Sequence, residues 1–198
     1  MAPDQPPDPI AVALEVAAIL ERLGIPYLAV GSLASSIHGE PRSTNGIDLV
    51  ADLEPRHVEG LLAALGDAYY VSPDAVREAV REGGTFNTIH LGTALKVHVF
   101  VAGRDPFDIE RLKHRERVEI WSDPPGELYV DTAEHTVLRK LEWYRQGDEV
   151  SERQWGDVLG IVRAQGNRLD RARLTAWAGR LGVSDLLERV LSQAGEMS

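Results

Sequence analysis

Gly31-Ser32, Arg42, Asp48, Lys96 and His98 are the residues whose types and surroundings suit chemistry. The apolar run 25–30 leads into Gly31-Ser32, then into a helical stretch carrying Leu33, Ala34 and Ile37. A loop with Gly39, Pro41 and Arg42 follows, and then a second apolar run, 47–51. Strand, small-residue turn, helix and strand is the order in which several phosphate-binding sites begin. A Gly-Ser pair at a helix N-terminus lets backbone N–H groups approach a phosphate, and the hydroxyl adds a donor. Asp48 sits within an apolar run, where a carboxylate is costly unless paired or bound to a cation. It suits a divalent metal held against that phosphate. Arg42 suits either an ion pair with Asp48 or a phosphate contact. Lys96 suits a phosphate contact or a strand-edge position from which its ammonium reaches water. His98 suits a softer metal such as Zn²⁺ or Mn²⁺ better than Mg²⁺.

The elements that must position these residues follow from periodicity. Residues 1–9 hold four prolines and read as a disordered or extended arm. Apolar positions 10, 13, 14, 17, 20 and 23 predict a helix that Gly24 ends. Strands are expected at 27–30 and 47–51, a helix from Glu54-Pro55 to Leu65, and a short strand at 69–71. Ser72-Pro73 opens a helix to about Glu82. Thr85–His90 and Lys96–Val101 read as an antiparallel hairpin. A short helix over 107–114 and strands at 117–121 and 128–130 come next. From Asp131 onward the pattern is helical, with Asp131/Glu134 and Ser151/Gln154 as capping pairs and Ser184 opening the last helix. The expected fold is α/β (α+β): a mixed sheet flanked by helices, with a helical C-terminal third. The expected division is an arm at 1–9, a core at 10–130 and a helical subdomain at 131–198.

The stretch Gly31 to Asp52 resembles the nucleotidyltransferase superfamily, the fold of DNA polymerase beta. Within it, the likeness is to the bacterial branch that includes the AbiEii and MenT toxins. That group shows a Gly-Gly or Gly-Ser turn and then a Thr-x-Asp-x-Asp strand. Here these read Gly31-Ser32 and Thr44-Asn45-Gly46-Ile47-Asp48. The likeness continues through Thr85 to Phe100, where Lys96-Val97-His98 stands for the group's Lys-x-Asp, and through Leu138 to Val162. The first and third carboxylates are therefore replaced, by Gly46 and His98. On residue type alone, Asn45-Gly46 also reads as a hairpin turn.

The resemblance implies a nucleoside triphosphate as substrate, Mg²⁺ as cofactor, and RNA among the acceptors. It implies Asp48, Lys96 and Lys140 as catalytic groups, Gly31, Ser32, Arg42 and Asp157 as nucleotide contacts, and Asp48 with His98 at the metal position. It also suggests a bacterial toxin–antitoxin setting. From the loop chemistry and the strand faces, Gly31, Ser32, Arg42, Asp48, Lys96 and His98 are expected to converge on one cleft. Lys140 and Asp157 read equally as a helix–helix salt bridge. With one of three carboxylates left, the expectation is impaired transfer. The alternative is a non-catalytic nucleotide-binding or interaction module on the same fold, with a protein partner or a second copy docked on its helical tail.

Composition bounds these readings. The chain has 198 residues, 43% hydrophobic and 26% charged, which is ordinary for a globular protein. It has no cysteine, so neither a disulfide framework nor Cys-ligated zinc is expected. No apolar run approaches the ~20 residues of a membrane span, and the N-terminus lacks the pattern of a signal peptide, so a cytoplasmic location without membrane contact is expected. A net charge of −10 makes a general nucleic-acid binder improbable, because phosphate contacts dominate that affinity. Any RNA needs a local basic face, for which Arg111, Lys113, Arg115 and Arg117, or Arg163, Arg168, Arg171 and Arg173, are candidates; solvated helix faces are the alternative. Trp143, Tyr144 and Trp155 read as core or as a base-stacking platform. His38, His57 and His90 read as structural.

Overall fold

The structure, a computed structural model, describes residues 8–41, 46–120 and 125–195. Residues 1–7 of the expected arm, Arg42, Thr44-Asn45 and Trp121 lie outside them. Two compact units are present. One holds α1 (Pro9–Arg22), β1 (Tyr27–Ala29), β2 (Gly46–Ala51), α3 (Val58–Leu65), β3 (Tyr69–Val71), α4 (Pro73–Glu82), β4 (Thr85–His90), β5 (Lys96–Val101), α5 (Pro106–His114), β6 (Glu116–Ile120) and β7 (Gly126–Val130). The other holds α2 (Gly31–His38) with α6 (Ala133–Gln146), α7 (Glu152–Gln165), α8 (Arg171–Leu181) and α9 (Ser184–Gly195).

In the first unit the strands form one mixed sheet in the order β3-β4-β5-β2-β1-β7-β6. β2 runs parallel to β5 and antiparallel to β1, and β4–β5 is the expected antiparallel hairpin. β5 alternates strictly: Val97, Val99 and Val101 are buried, while Lys96, His98 and Phe100 lie on the less covered face. A period of two is what a strand needs to bury one face. β2 starts the same way with Ile47 and Leu49 inward, but its end is buried on both faces, Ala51 on one and Val50 on the other with Leu28 and Val30.

α1 starts earlier than its apolar stripe suggests. Asp8 caps it by accepting from the Ile10 N–H at 2.9 Å, and Pro9 takes the first helical position, where its missing N–H is no loss. Asp8 and Pro9 thus belong to the helix and not to an extended arm. Gly24 leaves the helix with φ of +67°, the left-handed conformation that glycine adopts without strain. The stretch after Glu54 also differs: a short 3-10 turn over Pro55–His57 precedes α3.

In the second unit α2 packs against α6 and α7. α6 is capped by Thr132, whose side chain accepts from the His135 N–H, and not by Asp131. Ser151 caps α7 as expected, accepting from the Gln154 N–H. Asp170 does the same for α8. Leu138, Leu141, Ile161, Leu174 and Leu186 are fully buried here. Just past α2, Gly39 meets α7 backbone to backbone: a Cβ at Gly39 would stand 2.9 Å from the Ile161 nitrogen and 3.0 Å from the Ser35 carbonyl oxygen.

Gly39→Ala therefore forces backbone apart and should destabilise the chain by about 1–3 kcal/mol. Gly156→Ala, in the interior of α7 with nothing within 4 Å of the new methyl, should be neutral or stabilising by up to about 1 kcal/mol. Denaturant melts of the two variants check the contrast.

Candidate functional site

The parallel pairing of β2 with β5 sets two of the candidate residues side by side. Asp48 is in register with His98, and Gly46 with Lys96. Antiparallel β4 adds Asn87 directly across from His98. Paired residues share a sheet face, so Asn87, His98 and Asp48 form one row across three strands. The His98 Nδ1 stands 3.7 Å from an Asp48 carboxylate oxygen, too far for a hydrogen bond. Both side chains are about one-third exposed (34% and 33%). The His98 ring also packs on Phe100, centroids 4.3 Å apart.

The His98 pKa is lowered from its ordinary value. Burial is the main cause, Asp48 acts in the opposite direction, and nearby Lys96 adds to the lowering. At neutral pH the ring is therefore uncharged. Where Asn45-Gly46 also suits a hairpin turn, Gly46 begins β2. Among the described residues, a Cβ built at Gly46 would have only the Lys96 carbonyl oxygen within 4 Å, at 3.8 Å, so these leave room for a side chain there. Lys96 is exposed at the start of β5, as a strand-edge ammonium would be.

A pair of Mg²⁺ ions needs several carboxylate oxygens. This row offers one carboxylate, one imidazole and one amide. Among the described residues no group of three or more His, Asp or Glu is placed to hold a metal ion. The donor set does not fit a two-magnesium centre.

The helical unit carries the other candidates. Val30, whose N–H donates to the Asp48 carbonyl at 2.9 Å, runs directly into α2. Gly31 opens that helix with φ of +62°, and Ser32 and Ser35 are buried along it. Ser35 donates to the Gly31 carbonyl at 2.8 Å. Lys140 on α6 donates to Asp157 on α7 at 2.8 Å, with side chains 8% and 10% exposed. The pair is a buried helix–helix salt bridge. Asp157 also lines a cavity of about 280 Å³ with Ser35, Glu40, Arg153, Gly156 and Gly160.

Other candidates have structural partners. His38 bonds the Asp131 carbonyl, His57 accepts from the Glu54 N–H, and His90 meets the Thr93 hydroxyl. Tyr144 is buried and its ring lies 5.2 Å from that of Trp155, whose indole N–H donates to Gln193. Tyr144 is core, and Trp155 is half-buried beside it. Arg168 donates to the Ala164 carbonyl at the end of α7, and Arg173 faces Asp170. Asn87 was not among the expected residues; the alternation of β4, which puts Phe86 and Thr88 inward, was the available signal.

Sequence comparison matches no protein-family model and no curated protein. Structural comparison does find relatives. A nucleotidyltransferase-like antigenic protein from Paracoccidioides brasiliensis superposes with a TM-score of 0.56 at 16% identity, covering 93% of each chain. The fold is the nucleotidyltransferase fold. The antibiotic-resistance factor ANT(2″)-Ia in solution gives 0.53 at 9% identity, over 91% of this chain and 96% of that one. Its complex with adenylyl-2″-tobramycin gives 0.54 at 11% identity, over 86% and 97%. No helix among the described residues is long and apolar enough to cross a membrane.

Two outcomes follow. The His98 ring should titrate below the ~6.5 of a free imidazole in NMR. Asp48→Asn should lower that midpoint further, because Asp48 is the influence that raises it. Since the unfolded chain takes up this proton first, the contribution of His98 to stability is complete above ~6.5 and is lost as pH falls below it; His98→Asn should flatten that part of the stability–pH curve. Separately, Lys140→Ala should cost about 3–5 kcal/mol by breaking the buried pair, whereas the double replacement Lys140→Met with Asp157→Leu should recover most of it in urea melts.

Proposed function

We propose that this chain binds a nucleoside triphosphate on its nucleotidyltransferase fold and transfers the nucleotide to an acceptor at most slowly. One observation supports the reading: the β2–β5 register sets Asp48 opposite His98 and Gly46 opposite Lys96, so the row offers a single carboxylate, and the resemblance expects carboxylates where the sequence has Gly46 and His98. In such transfer the protein contributes little bond chemistry; it positions groups and neutralises charge on the phosphoryl oxygens. Asp48 alone, beside a neutral imidazole, gives little of that neutralisation. From the resemblance, Gly31, Ser32, Arg42 and Asp157 are the proposed nucleotide contacts, and Asp48, Lys96 and Lys140 the proposed catalytic groups. Asp157 contributes through its cavity, with Lys140 holding its carboxylate. RNA is the proposed acceptor, from the likeness of residues 31–52 and 138–162 to the toxin branch. A nucleotide-binding module without transfer is the second reading, and the same register favours it.

Calorimetric titration of each nucleoside triphosphate, with and without Mg²⁺, tests binding. Saturable binding that depends little on Mg²⁺ is expected. Transfer of labelled nucleotide to RNA, with tobramycin as a small-molecule comparison, tests the chemistry. The unmodified chain should label either acceptor barely above background. Gly46→Asp with His98→Asp should create a Mg²⁺ requirement and raise transfer by at least about tenfold, or 1.4 kcal/mol in barrier. Each single change should do far less, because such carboxylates act as a unit. Brisk labelling by the unmodified chain would refute impaired transfer. A folded, metal-binding double variant that transfers nothing would favour the module.

A further inference from the structure

The basic run 111–117 separates into parts with different surroundings. Arg111 is buried and pairs with Asp108 at 3.1 Å, so it serves the packing of α5. Lys113 is exposed. Arg115 and Arg117 instead converge on one aromatic ring. The Arg115 guanidinium carbon lies 4.5 Å from the Tyr129 centroid and that of Arg117 lies 5.8 Å from it. These three residues line a cavity of about 300 Å³ with Glu21, Gly24, Pro26 and Tyr27.

The two arginines of this cavity differ in their partners. Arg117 has a carboxylate partner, Glu127, at 2.8 Å. Glu21 accepts from the Tyr27 hydroxyl at 2.9 Å. Burial, chiefly, holds the Tyr27 phenol well above its ordinary pKa, so that hydroxyl stays a neutral donor. Arg115 has no carboxylate within ion-pair distance among the described residues. Its Nη1 donates to the Leu112 carbonyl, and its Nε is buried with no hydrogen-bond partner. A half-buried guanidinium without a counter-ion is destabilising until an anion supplies one. Stacking occupies the flat face of a guanidinium and leaves its edge for an oxyanion; with Nη1 on the Leu112 carbonyl, that edge at Arg115 is Nη2, beside the Arg117 guanidinium on the same ring.

We propose that the Arg115–Arg117–Tyr129 cavity is a phosphate-binding site, separate from the row on β2 and β5. Its ligand is a phosphate group, either on a small molecule or in the backbone of a single-stranded nucleic acid. The chain's net charge of −10 repels phosphates at long range, so the site acts by local contacts and its affinity falls steeply with salt.

The test uses the full chain at low ionic strength. Inorganic phosphate is titrated in one arm and a short single-stranded oligoribonucleotide in the other, with the Arg115 Nε–H resonance followed by NMR and affinity measured by calorimetry. Phosphate should shift that resonance saturably. Arg115→Gln should weaken binding by about tenfold or more and Arg117→Gln by several-fold, whereas Lys113→Gln, which removes the same charge outside the cavity, should change it by less than about twofold. Arg117 is exposed and paired at the surface, so its variant keeps the test open if Arg115→Gln fails to fold. Tighter binding of the oligonucleotide than of phosphate assigns the site to a nucleic-acid strand; equal binding assigns it to a small phosphate. No saturable shift, or equal losses in the Lys113 and Arg115 variants, would overturn the proposal.

Discussion

The parallel pairing of β2 with β5 is the constraint on which the rest depends. Its six paired positions fix which side chains share a face, and the hydrophobic alternation of both strands locks the register. A slip of β2 by one residue would turn Ile47 and Leu49 outward, and a slip of β5 would do the same to Val97 and Val99, each large side chain stabilising by about 1.5–3 kcal/mol when buried. The same lock puts Asp48 opposite His98. Core and candidate site are two faces of one pairing.

Gly46 and His98 lie on the less covered face of this pairing: Gly46 has room for a side chain, and His98, one-third exposed, packs on Phe100. The fold and the chemistry can therefore part company: burial on one face keeps the sheet, while the donor set on the other is free to change. The likeness to nucleotidyltransferases at 9–16% identity fits this picture, since it is a likeness of fold.

The helical unit is held by different means. Gly39 lets the end of α2 touch α7 backbone to backbone, the Lys140–Asp157 pair joins α6 to α7, and Arg189 lies 4.1 Å from the Trp155 ring. A buried ion pair adds little net stability over an apolar pair of the same shape, yet it is costly to break. Here it favours one arrangement of two helices beside the cavity that Asp157 lines.

Much was legible in the sequence because it is local. Strict alternation marked β4 and β5, and the order of elements pointed to the mixed sheet. Ser72, Ser151 and Ser184 marked helix starts for the same reason, and the cap shift from Asp131 to Thr132 shows the limit: both residues can cap, and only the path of the chain chose between them. The nature of the Lys140–Asp157 contact, the place of Asn87 beside His98, and the gathering of Arg115 and Arg117 on Tyr129 were not legible. Each joins residues from separate elements, and such meetings are set by strand register and helix packing. Residue types declared which groups could bind phosphate; the tertiary structure decided that Arg111 is engaged by Asp108 while Arg115 stacks on Tyr129 beside a cavity.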